Sequence, residues 1–370
     1  VTKFSGSYDG DGHTISNLYI NRPSTNYVGL FGYAYDSSPD DKMQNFPIRN
    51  LGIINVNISG DNNVGALIGM SMVSFVSNCF SDGIVRGDSL VGGLVGCNAS
   101  VVNESYTLGT VNGNSMIGGL VGGNLNPAFI ALLNNCYSRV NVTRDSSSAD
   151  TAVGAICGEN NNGVILYCYS TGDVVYKGAT NPIDKGFVGK EVGGSVNYAN
   201  NFFDSEACNQ STAIGASAKT TAEMKTVSTF TDSSWDFVVE TTNGTDDIWD
   251  ADQEGTVNDG YPILRWQEGA DDLLESPFAG GSGTEADPYQ IASLEGFRYL
   301  SEHPEIWSDH FIQTADINAA ATSEWNSDGN GGYYGFSPIG DSTDHFTGSY
   351  NGNDKSISNL VINRSGTDHI

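Results

Sequence analysis

Five histidines, six cysteines and 44 carboxylates are where chemistry would have to reside in this chain of 370 residues. His13, His303, His310, His345 and His369 form no His-x-x-x-His pair, and no two cysteines stand as Cys-x-x-Cys, so the patterns of the common zinc sites are missing. No Gly-x-Ser-x-Gly elbow introduces a nucleophilic serine. Polysaccharide-cleaving β-helix enzymes pair clustered carboxylates with an Arg or Lys base, and this chain holds 16 Lys and Arg in all.

Three weaker patterns remain. In Asp9-Gly-Asp11-Gly-His13 alternating carboxylates on a tight turn offer hard oxygens to calcium, so Asp9 and Asp11 are the candidate ligands. The same residues also suit a plain turn, and the second copy of the motif carries Asn351 and Asn353 instead. Cys136 and Cys168 recur at one phase of a repeat and are the candidate disulfide, against a default of small buried thiols. Asn-x-Ser/Thr sequons stand at Asn57, Asn98, Asn103, Asn141, Asn209, Asn243 and Asn363, candidates for glycosylation wherever the machinery exists. No organic cofactor is called for.

The elements that would position these residues are short strands. Glycine occurs 46 times and charged residues make up 16% of the chain, a mixture of strands and tight turns rather than of helices or disorder. The net charge of −28 repels phosphate backbones and argues against nucleic acid. No run reaches the ~18 apolar residues that a membrane span needs.

Repetition occurs at two levels. Val64-Gly-Ala-Leu-Ile-Gly69, Val91-Gly-Gly-Leu-Val-Gly96, Ile117-Gly-Gly-Leu-Val-Gly122 and Val153-Gly-Ala-Ile-Cys-Gly158 recur, with weaker relatives at Val28 to Gly32 and Val188 to Gly193. Their spacing matches one turn of a β-solenoid, the longer steps carrying loop insertions. Between them run Asn78-Cys-Phe-Ser, Glu104-Ser-Tyr-Thr, Asn135-Cys-Tyr-Ser, Tyr167-Cys-Tyr-Ser and Asn201-Phe-Phe-Asp. In register these stack Phe80, Tyr106, Tyr137, Tyr169 and Phe203 in one column and Cys79, Ser105, Cys136, Cys168 and Phe202 in the next, one buried and one outward. Asn98, Asn124 and Asn160 also align and predict an amide ladder, and the motif glycines are expected to supply the corner dihedrals closed to other residues. At the higher level, Phe4 to Leu18 returns as Phe346 to Leu360, an offset of 342 residues. Val1 falls inside a motif, so the expectation is a slice of a tandem array.

The Val-Gly-Gly-Leu-Val-Gly-x-Asn cores, the Asn-Cys-Tyr-Ser partner and the Gly-Ser-Tyr-Asp-Gly-Asp-Gly-His-Thr-Ile-Ser-Asn-Leu opener resemble the GLUG-repeat segments of bacterial and archaeal adhesin-like surface proteins. That resemblance implies an all-β fold, a right-handed parallel β-helix, over 1–205. It implies a closing segment over 206–267, built on Thr221-Ala-Glu-Met, Trp235-Asp-Phe and Tyr261-Pro-Ile-Leu-Arg-Trp, that lies across the open end of the solenoid. An acidic linker at 268–282 and the opening part of a next unit at 283–370 follow, the latter with a helix from Ser293 as N-cap to about Leu300.

These readings point to an extracellular or cell-surface segment that turns over no substrate and acts in adhesion or as a stalk. Its partners would be neighbouring repeat units or copies of itself, and host or surface glycans or proteins. The alternatives are a self-assembling filament, sheath or surface-layer subunit and, last, a β-helix polysaccharide-degrading enzyme.

Overall fold

The structure, a computed structural model, describes all residues but 1, 36–46, 126–130, 146–147, 195–196, 239–241, 245, 253–254, 256, 268–277, 327–331, 341–344 and 365–370. Two compact units divide it, Val1–Glu268 and Gly269–Ile370. The architecture is nearly all-β, with strands paired in parallel and few, short helices.

In the first unit each motif stacks on the same motif of its neighbours. Val64, Val91, Ile117 and Val153 form one ladder, and Ile68, Val95, Val121, Cys157 and Val188 form a second. Leu67, Leu94, Leu120 and Ile156 stand between them, and all of these side chains are wholly buried. The motif's three apolar positions are thus the core, each contributing about 1.5–3 kcal/mol against the cost of ordering the chain.

The motif glycines serve proximity, which corrects the expectation that they supply unusual dihedrals. A Cβ on Gly118 would stand 2.0 Å from the Val121 carbonyl oxygen, and one on Gly122 2.4 Å from the Val91 nitrogen. The left-handed corner instead falls to a column of non-glycine residues, Asn78, Glu104, Asn135, Tyr167 and Asn200, with φ between 46° and 55°. Val188 pairs with Cys157, so Gly189 and not Gly193 takes the last glycine place of that repeat.

The aromatic column forms as Phe80, Tyr106, Tyr137 and Tyr169, with ring centroids 4.8, 4.8 and 4.9 Å apart and planes within 6°. Its next member is Phe202, which pairs with Tyr169, and not Phe203. Asn201 decides this register: its Oδ1 accepts the Cys168 backbone N–H at 3.0 Å, as the Ser105 hydroxyl accepts that of Cys79 at 3.2 Å. Both columns are buried, not one, apart from the half-buried Phe80, since the aromatic face is covered from outside. The amide ladder is present: Asn98 Nδ2 donates to Asn124 Oδ1 at 2.9 Å and Asn124 Nδ2 to Asn160 Oδ1 at 3.0 Å, with all three asparagines fully buried.

In the second unit the Ser293 hydroxyl accepts from Gly296 N at 3.1 Å and opens the helix Leu294–Glu302, whose Phe297 and Leu300 are buried. Phe278, placed in the linker by sequence, belongs to this unit's core. Tyr289, Phe311 and Tyr350 pair in succession, as do Ile317 and Ile357.

Candidate functional site

Of the closing segment 206–267, expected across the open end, residues 213–219 do close the last repeat, with Ala213, Ile214 and Ala216 packed on the core and Ser217–Lys219 paired with Phe202–Asp204. The stretch that follows, from Thr220 to Gln267, lies mainly along the side, as a strap over the aromatic column. A capping box between Thr220 and Glu223 starts the helix Thr221–Met224. From there Met224, Phe230, Trp235, Phe237, Trp249, Tyr261 and Leu264 bury against Tyr106, Tyr137, Tyr169 and Phe202. The physical reason is area: an outward row of stacked rings exposes a continuous apolar stripe, and covering it removes far more surface from water than covering one edge strand.

Three indoles fix the strap to three corners of the stack. Trp235 Nε1 donates to the Asn200 carbonyl at 2.8 Å, Trp249 Nε1 to Asn135 Oδ1 at 3.3 Å and Trp266 Nε1 to the Glu104 carbonyl at 2.9 Å. The tyrosine hydroxyls are satisfied by the same segment, Tyr169 donating to the Pro262 carbonyl and Tyr137 accepting from Gln267 Nε2, each at 2.7 Å. Burial holds both phenols well above their usual range. Sequence reasoning missed this site, although six aromatics between Phe230 and Trp266 facing a five-membered aromatic column were a signal for it.

Between strap and corners lies a polar pocket of about 310 Å³, lined among others by Asn103, Glu104, Asn135, Tyr167, Asp236 and Asp246. Burial, and the nearby Asp246 charge, raise the Glu104 carboxyl above the ordinary range while the Asn103 amide opposes them. Among the described residues Asp236 Oδ1 is buried there without a hydrogen-bond partner. Among the described residues no group of three or more His, Cys, Asp or Glu is arranged to hold a metal.

Asp9 and Asp11 do not converge on a cation site. Asp9 Oδ1 accepts from Asp11 N and Asn50 Nδ2, each at 3.0 Å, and its Oδ2 takes Arg49 Nε at 2.8 Å. These bonds draw its carboxyl below the usual range, the Asp11 backbone bond first, so a calcium ion would have to displace a guanidinium. Asn351 makes the same turn, accepting from Asn353 N at 2.9 Å. Cys136 and Cys168 are free thiols, correcting the candidate bridge. They stand on adjacent repeats, where side chains run parallel at about 4.8 Å, whereas a disulfide needs Cβ atoms converging to about 3.8 Å. Their sulfurs turn instead to the Asn134 and Leu166 carbonyls, each at 3.1 Å.

Of the sequons, Asn98, Asn103 and Asn243 are held in hydrogen bonds within the structure, while Asn57, Asn141, Asn209 and Asn363 are exposed. A serine and a histidine do meet in the second unit, His310 Nδ1 to Ser349 Oγ at 2.7 Å, as a cross-strand pair of the His310–Gln313 ladder.

No known family model matches the chain. It is similar to Halomucin of Haloquadratum walsbyi, 45% identical over 92 residues that make up 24% of this chain and 1% of that protein. It is also similar to a "putative Gly-rich membrane protein" of Evansella cellulosilytica, 33% identical over 132 residues, 35% of this chain and 13% of that protein. The chain therefore spans a small part of the length of either relative. Among solved structures it is similar to a Bacteroides ovatus chain described as a "putative immunoglobulin A1 protease", at 17% identity and a TM-score of 0.42, over 70% of this chain and 76% of that one. The expectation that this chain is not an enzyme does not stand against that description and is withdrawn; at this TM-score the likeness assigns it no reaction. No helix among the described residues is long and apolar enough to cross a membrane.

Proposed function

We propose that this chain is a segment of a very large cell-surface or secreted protein, folded as a closed right-handed β-helix of the GLUG-repeat type, and that it serves in adhesion or as a stalk. One observation carries this reading. In the second unit Phe311 pairs with Tyr350 and Ile317 with Ile357. In the first unit Tyr8 and Ile15, their counterparts at the 342-residue offset, pair with Ile48 and Ile53. In each unit the opener is thus one rung of a parallel column, Tyr8, Ile48, Val76, Val102, Leu133, Ile165 and Tyr198 in the first and Tyr289, Phe311 and Tyr350 in the second. Each step adds about 4.8 Å of length, which is what a protein needs in order to hold a binding tip away from a surface. The names of the two relatives, a mucin and a membrane protein, support the location.

Antibodies raised against Val1–Glu268 and gold-labelled on intact source cells test the reading. Label outside the envelope, with loss of attachment when the gene is deleted, is the expected result; label confined to the cytoplasm would sink it. Assembly of separate subunits into a filament is the second reading. It would use between copies the same parallel pairing that joins successive repeats within one chain. Concentration-dependent end-to-end fibres of the purified chain would select it, and a monomer at all concentrations would select the covalent array.

A further inference from the structure

The structure assigns one exposed column of the first unit as a glycan-bearing face, modified at Asn57, Asn141 and Asn209. The strand register brings these sequons together although they lie far apart in sequence. Asn57 pairs with Ile84, Ile84 with Thr110 and Thr110 with Asn141. Val142 pairs with Val174, which sets Asp173 beside Asn141, and Asn209 Nδ2 donates to Asp173 Oδ1 at 3.0 Å. The three asparagines therefore share one outward row, Asn57 and Asn141 three strand spacings or about 14 Å apart.

Strand alternation makes this a presenting geometry. The middle residue of each strand sequon, Ile58 or Val142, is wholly buried, so the asparagine and the hydroxyl residue on either side, Ser59 or Thr143, point outward together. The amide oxygens are already held, Asn57 Oδ1 by Arg86 Nη1 at 2.9 Å and Asn141 Oδ1 by Asp173 N at 3.2 Å. That leaves Nδ2 of both turned to solvent. Asn209 keeps one N–H for Asp173 after substitution. The contrast with the other sequons of this unit is chemical. Asn98 is wholly buried and spends its amide nitrogen on Asn124 Oδ1 and the Ser100 carbonyl. Asn103 and Asn243 are half-buried where Asn57, Asn141 and Asn209 are exposed, the first with its amide nitrogen on Glu104 and the second with its own on two strap carbonyls.

The co-reactant is a lipid-linked oligosaccharide delivered by a membrane transferase. Nδ2 attacks the anomeric carbon and the N–C bond forms. The C–O bond to the lipid phosphate breaks with its electron pair leaving on that phosphate, and the amide gives up one proton to the transferase's base. The inference requires a secretory route but not adhesion or a stalk, so it and the preceding reading can fail separately.

The test uses the full chain carrying Asn363→Gln and a flexible tag with one Asn-Gly-Thr sequon, secreted from a host that modifies the tag. Folded monomer is collected by size exclusion and its glycopeptides are read by mass spectrometry. The expected result is glycan at Asn57, Asn141, Asn209 and the tag, with Asn98, Asn103 and Asn243 bare. Each Asn→Gln variant removes one glycan mass, and the triple variant keeps one of four. Ser59→Ala, Thr143→Ala and Ser211→Ala, which leave the asparagines in place, must produce the same losses. Modified tag with the three asparagines bare, or glycan on Asn98 in the folded fraction, overturns the assignment.

Discussion

Replacing Trp266 by alanine tests whether the strap is held by its indoles. The ring is only partly buried, against Phe80 and Tyr106 at centroid distances of 6.2 and 5.7 Å, and its N–H donates to the Glu104 carbonyl. Losing about 100 Å² of buried apolar surface at ~25 cal/mol per Å² costs about 2.5 kcal/mol, and the hydrogen bond adds roughly 1 kcal/mol. A local cost of about 2–4 kcal/mol raises the open population roughly 30- to 1000-fold. Native-state hydrogen exchange reads this directly. The amides of Val238, Trp249 and Arg265, bonded to Trp249, Asp236 and Ile248 carbonyls within the strap, report its opening, and those of Tyr106–Gly113 report the ladder. Faster exchange confined to the strap is expected, with Trp266→Phe giving a smaller effect than the alanine because it keeps part of the apolar ring while losing the N–H. Unchanged strap amides, or ladder amides accelerating by the same factor, would show that the indole does not clamp a separable element.

Asn124→Ala removes the centre of the amide ladder and strands a buried donor on Asn98 or acceptor on Asn160; a loss of about 2–4 kcal/mol in denaturant unfolding is expected, against under ~0.5 for the exposed Asn141→Ala. The raised Glu104 carboxyl implies a folded state that holds the proton more tightly than the unfolded one, so its favourable contribution is complete below the ordinary glutamate value of 4.5 and is lost as pH rises through the folded value. Glu104→Gln therefore raises the melting temperature at pH 7 and leaves it unchanged at pH 4; equal shifts at both would contradict this. Millimolar calcium leaves the melting temperature unmoved, because Arg49 already holds Asp9, and a rise of several degrees would restore the ion site. Native alkylation labels none of the six cysteines, since burial pushes the Cys79 and Cys97 thiols up to about 12 and encloses the rest; rapid labelling of Cys136 or Cys168 would mean the stack is open.

What the sequence made legible was whatever recurs with one chemical meaning. Val91, Leu94 and Val95 recur as apolar residues and are core; Asn98, Asn124 and Asn160 recur as amides and bond to one another. It misled where two neighbours carry the same chemistry or where one residue type has two uses. Phe202 and Phe203 are interchangeable to a hydrophobic pattern, and only the Asn201 amide, bonded across to Cys168, sets which ring enters the column. Glycine signals either a left-handed corner or a close backbone approach, and the structure gives the corner to Asn78, Glu104 and Asn135.

The placement of the strap was the least legible feature and has the largest consequence. Residues 213–219 close the last repeat, with Ile214 on the core and Ser217–Lys219 paired with Phe202–Asp204, but the strap that follows does not continue over that end. Lying along the side, it instead buries the rings of Phe80 through Phe202 and engages corners as far apart as Glu104 and Asn200. Axial pairing is carried by the strands themselves, as where His310–Gln313 seats on Ser349–Asn351 in the second unit. Lateral closure and axial pairing thus fall to different residues. That separation means the strap can open without unpairing the ladder.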